Sequence, residues 1–200
     1  MVPQDDHGSP PTPTPADVAR SLGLQARRSL SPAQRHAHSA AISERLLDLG
    51  RMGVAGPVAG YMALAEEADP AVALEALRTR GATVHLPRLV GQGLEFVAWT
   101  GDEPLETNRF GIAEPPGPSV PVESLAAVLI PCVAVDTRGS RVGFGAGYYD
   151  RTLATVHGAA RRPLLVGIAF EVQCLADIER RQWDVPLDVV VTESRTIECS

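Results

Sequence analysis

The chain has 200 residues, 44% of them hydrophobic, and a net charge of −6. That is enough apolar material for one domain with a sizeable core, and the ordinary charge content argues against wholesale disorder. The acidic balance argues against nucleic-acid binding through a broad basic surface, while leaving room for a small anion held by local arginines.

Residues 1–15 are polar and proline-rich and are expected to form a disordered tail, followed by a single domain over residues 16–200. The pattern predicts a helix from near Ala16 through Val18, Leu22 and Leu24. A second helix starts at Ser31, where Ser-Pro-Ala-Gln supplies an N-cap serine, a first-turn proline and a glutamine three residues on. Ala37, Ala40, Ala41, Leu46 and Leu47 give it an apolar stripe, and Gly50 and Gly53 end it. Pro57–Tyr61 reads as a short strand. Asp69-Pro70 caps a helix that ends at Gly81. Thr83–Leu86 and Leu94–Ala98 read as strands, and residues 101–124, rich in Gly, Pro and Glu, as a long functional loop. Ala126–Ile130, Leu164–Phe170 and Asp188–Thr192 have the continuous apolar character of buried strands. A helix is expected from Tyr149 to Val156. Alternating strands and helices with buried runs indicate an α/β domain with a mostly parallel sheet, whose ligands bind beyond the C-terminal strand ends.

The 18 basic residues are all arginine. Lysine chemistry is therefore excluded, including a Schiff base and a P-loop lysine. The three cysteines, Cys132, Cys174 and Cys199, lack metal-ligand spacing and fit a reduced compartment. Cys132 reads as a buried small hydrophobe in preference to a reactive thiol. Among the histidines, His7, His36, His38 and His157 read as surface residues and His85 as packed. The sequence has no apolar run of about 18 residues and no signal-peptide layout, so the expectation is a cytoplasmic protein without a membrane partner.

The segment after Ile130 concentrates the chemistry. Gly143, Gly145 and Gly147 alternate in Arg141–Asp150 (RVGFGAGYYD). Glycines let backbone N–H groups approach a ligand and form an anion nest, and a following helix adds its free N–H groups. Arg138, Arg141 and Arg151 flank the turn, and Asp150 stands where it can reach a metal ion. A tight turn alone would explain three glycines, but it would not need the adjoining Arg141 and Arg151, two tyrosines and an aspartate beside them. The spacing fits neither a P-loop nor a dinucleotide fingerprint. Residue chemistry alone reaches a nucleotide- or phosphate-binding α/β enzyme.

At these residues the chain resembles the 5-formyltetrahydrofolate cyclo-ligase family, which carries R-[LV]-G-x-G-x-G-[YF]-Y-D-R after a strand ending in Pro and Asp, here Pro131 and Asp136. The resemblance extends over residues 16–195. Tyr61, Glu67 and Asp69 resemble the family's Y-x5-E-x-D stretch, Leu86-Pro87-Arg88 its L-P-R element, and Phe110–Pro115 its G-I-x-E-P loop. Gln173, Asp184, Pro186, Asp188 and Thr192-Glu193 are similar to its closing pattern.

The resemblance implies a three-layer α/β/α fold with a mostly parallel sheet, of the NagB/RpiA/CoA-transferase type. It implies a monomer that converts 5-formyltetrahydrofolate and ATP to 5,10-methenyltetrahydrofolate, ADP and phosphate with Mg2+, through an iminium phosphate. ATP contacts carried over are Arg20, Arg141, Val142, Gly143, Phe144, Gly145, Ala146, Gly147, Tyr148 and Tyr149. Folate contacts are Met62, Glu67 and the turn from Phe144 to Tyr148, the magnesium positions are Asp150 and Asp184, and Arg141 with Tyr148 is assigned the catalytic role. Each has a plainer reading. Asp184 can cap a turn, Glu67 can be a solvated residue before a helix, Arg20 an exposed helix residue, Met62 core, and one of Tyr148 and Tyr149 core. The chain departs from the family at Ala16, Cys132, Val135, Ala146 and Trp183. Two of these positions carry lysine in relatives, and Arg27, Arg28, Arg138 and Arg151 are candidates to make up the charge. A non-catalytic folate- or nucleotide-binding relative is the alternative reading.

Overall fold

The computed structural model describes residues 12–50 and 56–200. Most of the expected tail, and Gly53, lie outside the described residues. The elements in order are α1 (Pro15–Arg28), α2 (Pro32–Asp48), β1 (Val58–Ala59), α3 (Ala71–Thr79), β2 (Val84–Val90), β3 (Gly93–Trp99), β4 (Glu106–Thr107), β5 (Ala113–Glu114), β6 (Ser119–Val120), β7 (Ala127–Pro131), β8 (Ala134–Val135), β9 (Arg141–Val142), α4 (Tyr148–Leu153), β10 (Leu164–Ile168), β11 (Val189–Val191) and β12 (Thr196–Glu198).

The main sheet runs β12-β11-β10-β7-β1-β2-β3-β6. Its five central strands, β11 to β2, are parallel, and the edges add antiparallel strands. The layers follow from the period-2 alternation of strand side chains. Ala127 and Leu129 of β7, Val166 and Ile168 of β10, and Val189 and Val191 of β11 face one core with Ile42, Leu46, Leu74 and Leu77 from α2 and α3. Val128, Ile130, Leu165 and Val190 face the opposite core with Leu153 of α4. Both sheet faces are covered, so the strands read as continuous apolar runs instead of alternating ones.

Helix starts obey local chemistry. Ser31 and Gln34 form the expected capping box of α2. Thr14 and Asp17 form another at the start of α1, so the helix begins at Pro15. The buried faces are not the expected ones. α1 buries Ala19, Gly23 and Arg27, while Val18 and Leu22 are about half exposed. A Cβ on Gly23 would lie 2.1 Å from the Val133 carbonyl oxygen, so glycine is what lets α1 lie against the β8 backbone. α2 buries Ser39, Ile42, Ser43 and Leu46, and Ala37 and Ala40 face outward. His38 is also not a free surface residue. Its Nδ1 lies 3.2 Å from Glu193, and its ring meets Phe170 edge-on.

The long 101–124 segment is more ordered than a loop. β4 and β5 pair across an Asn108 turn, and β6 joins the main sheet edge. Asn108 Oδ1 accepts from the N–H groups of Phe110 and Ile112, and its Nδ2 donates to Glu114 at 2.7 Å. Glu114 in turn accepts from Leu89 N–H of β2, which pins the hairpin to the sheet.

Candidate active site

The chains leaving the C-terminal ends of β1, β7 and β10 gather at one end of the sheet, and α1 packs across the segment that follows β7. This segment turns back on itself as a β8–β9 hairpin, which the sequence pattern did not reveal. Asp136 builds it. Its buried carboxylate accepts from the N–H groups of Arg138, Ser140 and Ile178. Gly139 takes the positive φ of 77° in the turn, where a Cβ would meet the Leu187 carbonyl at 2.5 Å. Gln173 supports the base of the hairpin by donating to the carbonyls of Cys132 and Val133.

The hairpin delivers Arg141 to the mouth of the glycine-rich turn. Its side chain is 6% exposed, and its guanidinium donates to Asp150 Oδ1 at 2.5 Å and to the Val185 carbonyl. Gly145 and Gly147 adopt φ of 97° and 69°, while Gly143 does not need positive φ and has open space where a Cβ would stand. The turn from Gly143 to Ala146 is exposed. Two arginines fasten it by its carbonyls. Arg20 Nε donates to Gly143 O at 2.8 Å, and Arg151 donates to Ala146 O at 2.5 Å. With carbonyls drawn to the arginines, the turn's N–H groups are left for an anion. α4, six residues long, is shorter than expected, and its N-cap, Gly147, offers no side-chain cap.

Asp184 lies beside this turn. Its carboxylate accepts from Arg181 N–H at 2.8 Å, so it caps its own bend, and the adjoining Val185 N–H donates to Asp150 at 3.3 Å. The peptide joining residues 184 and 185 thus brings the two expected metal positions into one neighbourhood. Among the described residues there is no cluster of three or more metal-binding side chains. A pair of hard carboxylates still fits magnesium, which takes few protein ligands and completes its shell with water and phosphate oxygens.

The two tyrosines divide their roles. Tyr149 packs toward the second core, and burial pushes its phenol pKa up, with a smaller contribution from Glu67. Tyr148 faces the turn, where its hydroxyl accepts from Arg109 at 2.6 Å and its ring meets Phe110 edge-on at 6.2 Å. Arg109, which no sequence pattern singled out, also lies over Phe110 at 5.0 Å. The tip of the β4–β5 hairpin thereby touches the glycine-rich turn.

On the α1 side, Phe144 is half exposed, with the Arg27 guanidinium 5.4 Å from its ring centre. Glu67 is partly buried and accepts from Leu64 N–H at 2.8 Å. Burial raises its carboxyl pKa, against the lowering effects of the Leu64 N–H and the Arg27 charge. Met62 packs against the first core. Cys132 is buried, which pushes its thiol pKa up to about 12, so it is a packing residue as expected.

This fold, with an exposed, arginine-flanked glycine turn at the C-terminal strand ends, has the form in which α/β enzymes bind their ligands. The sequence profile of the 5-formyltetrahydrofolate cyclo-ligase family matches residues 17–193, and the chain belongs to that family. It is 32% identical to the 5-formyltetrahydrofolate cyclo-ligase of Escherichia coli K12 over 87% of this chain and 98% of that one. It is 32% identical to that of Mycolicibacterium smegmatis over 93% and 97%. The structure superposes on the 5,10-methenyltetrahydrofolate synthetase of Aquifex aeolicus with a TM-score of 0.79 at 30% identity, covering 92% of this chain and 93% of that one. For the synthetase of Mycoplasma pneumoniae the TM-score is 0.71 at 22% identity, with 89% and 98% covered, a likeness of fold. The three-layer α/β/α architecture is therefore that of the family.

Proposed function

We propose that the chain cyclises 5-formyltetrahydrofolate to 5,10-methenyltetrahydrofolate, consuming ATP and releasing ADP and phosphate. Family membership supplies the reaction. The observation that carries it to this molecule is the single turn set between Arg20, Arg141 and Asp150, with Phe144 and Tyr148 on its flanks.

The chemistry accounts for those residue types. A formamide oxygen is a poor leaving group. Transfer of the ATP γ-phosphoryl to that oxygen forms an O–P bond as the bond from Pγ to the β-phosphate oxygen breaks, and ADP leaves. N10 of the folate then attacks the activated carbon and loses its proton to solvent, and phosphate departs with the former formyl oxygen. The protein's work is alignment and charge stabilisation. In this reading the N–H groups of residues 143–147 and the Arg141 and Arg20 guanidinium groups hold the phosphates. Phe144 and Tyr148 face the folate, which Glu67 hydrogen-bonds. Met62 and Tyr149 act by packing. Asp150 and Asp184 would hold magnesium, which when bound offsets phosphate charge. The proposal is for a monomer working on two small molecules in the cytoplasm, with residues 16–200 as one domain.

The test mixes purified protein with 5-formyltetrahydrofolate and MgATP. Methenyltetrahydrofolate is followed by its absorbance and ADP in parallel. Equal amounts of both are expected. A folded protein that yields neither at neutral pH overturns the reading.

A further inference from the structure

Arg27 is an unusual charge among the described residues. It is 4% exposed, at the end of the Ala19–Gly23–Arg27 face by which α1 lies on the hairpin. Its nearest carboxylate oxygen, on Glu66, is 3.9 Å away, and that residue also faces Arg28 at 3.6 Å. The Arg27 Nε–H is buried without a hydrogen-bond partner. A buried cation that serves packing alone is a poor solution, because an apolar side chain of the same shape avoids the desolvation. Phe144 of the glycine-rich turn lies with its ring centre 5.4 Å from the guanidinium, and the Glu67 carboxylate, next in the chain to Glu66, acts on it as a more distant negative charge.

We propose that Arg27 is a positioning residue for the folate, one buried cation that holds the Phe144 ring in place and lends its charge to the nearby Glu67 carboxylate. The proposal rests on the folate-cyclising reading. A guanidinium suits the task because its face takes the aromatic ring while its charge reaches a carboxylate. Loss of the cation frees the turn's aromatic and takes a compensating charge from the partly buried Glu67. Other charged and titratable groups face Glu67 as well. Arg35 and His36 of α2 and Asp69 share with Glu67 a cavity of about 260 Å3. Tyr61, Cys132 and Tyr149 are neutral there, since burial holds all three above their ordinary pKa values.

The test compares Arg27→Met, Arg27→Gln and Arg27→Lys with the parent, whose own product formation checks the underlying reading. With Met and Gln, KM for 5-formyltetrahydrofolate should rise about 10-fold or more, the scale of a lost charged contact. KM for ATP should stay within about threefold, well under that scale. The acid limb of kcat/KM for the folate should move to higher pH, and Lys should restore it. In a Glu67→Gln background the Arg27→Met change should leave that limb unmoved. Equal changes in both KM values, an unmoved acid limb in the single variants, or failure of both neutral variants to fold would each make Arg27 structural and overturn the proposal.

Discussion

The guanidinium of Arg141 and the carboxylate of Asp150 meet at 2.5 Å across the glycine-rich turn, tying the strand before it to the helix after it. One bond thus sets the mouth of the glycine-rich turn and orients the proposed metal ligand. Asp150→Ala should lower turnover by about 100-fold or more, the magnitude of one lost electrostatic contact at a reacting centre. Its activity should also need more magnesium. Arg141→Gln should lower kcat similarly, and Arg141→Lys should not restore it, because an ammonium cannot serve Asp150 and the Val185 carbonyl in a planar fork. Titrating magnesium in steady-state assays checks both. Normal turnover of Asp150→Ala at limiting magnesium removes the metal assignment.

Two glycines of the turn should behave differently. Gly147 has φ of 69°, and a Cβ there would lie 2.7 Å from the Arg151 guanidinium. Gly147→Ala should cost about 1–2 kcal/mol from the left-handed backbone, visible in thermal unfolding. Gly143 has neither constraint. Gly143→Ala should unfold at the parent's temperature yet show a raised KM for ATP, since its methyl would stand where a ligand approaches the backbone. A parental KM would remove Gly143 from the nest.

The Arg109–Tyr148 hydrogen bond links the β4–β5 hairpin to the turn. Arg109→Ala and Tyr148→Phe should therefore be non-additive in kcat/KM for the folate, with a coupling of about 0.5 kcal/mol or more. Additive losses in the double variant would show the contact to be idle.

Glu67 gives a prediction for stability against pH. Its carboxyl is raised on folding, mainly by burial. The folded chain then keeps a proton that the unfolded chain has already released. Stability is therefore lost as pH rises from the ordinary carboxylate value through the folded one, and is flat above. Glu67→Gln removes that loss. The variant should gain on the parent as pH rises through this window, and the two should converge in acid. Denaturant unfolding at several pH values measures it. A difference that does not change with pH would contradict the burial argument.

Several features were legible because they depend on neighbours in sequence. The Ser31 cap, the Asp69-Pro70 helix start and the apolar runs of β7, β10 and β11 follow from local hydrogen bonding and burial on both sheet faces. The glycine-rich turn was legible from composition, and the spaced motifs around it pointed to the family. Other features were not, because distant partners decide them. The face of α1 is set by Gly23 meeting the Val133 carbonyl, which reverses the ranking that hydrophobicity gives to Val18 and Leu22. The 101–124 segment looked structureless because its order comes from Asn108 and Glu114 side chains.

By itself the sequence determined an α/β chain, its family, and an arginine-flanked glycine turn suited to an anion. Those rest on residue type and spacing, which need no third dimension. Only the tertiary structure decided that Tyr149 points to the core and Tyr148 to the turn, that Arg20 and Arg151 hold the turn by its carbonyls, and that Arg27 is buried under Phe144. The physical reason is reach. A guanidinium on a helix more than a hundred residues away chooses its partners by packing, and no local pattern in the chain encodes that choice.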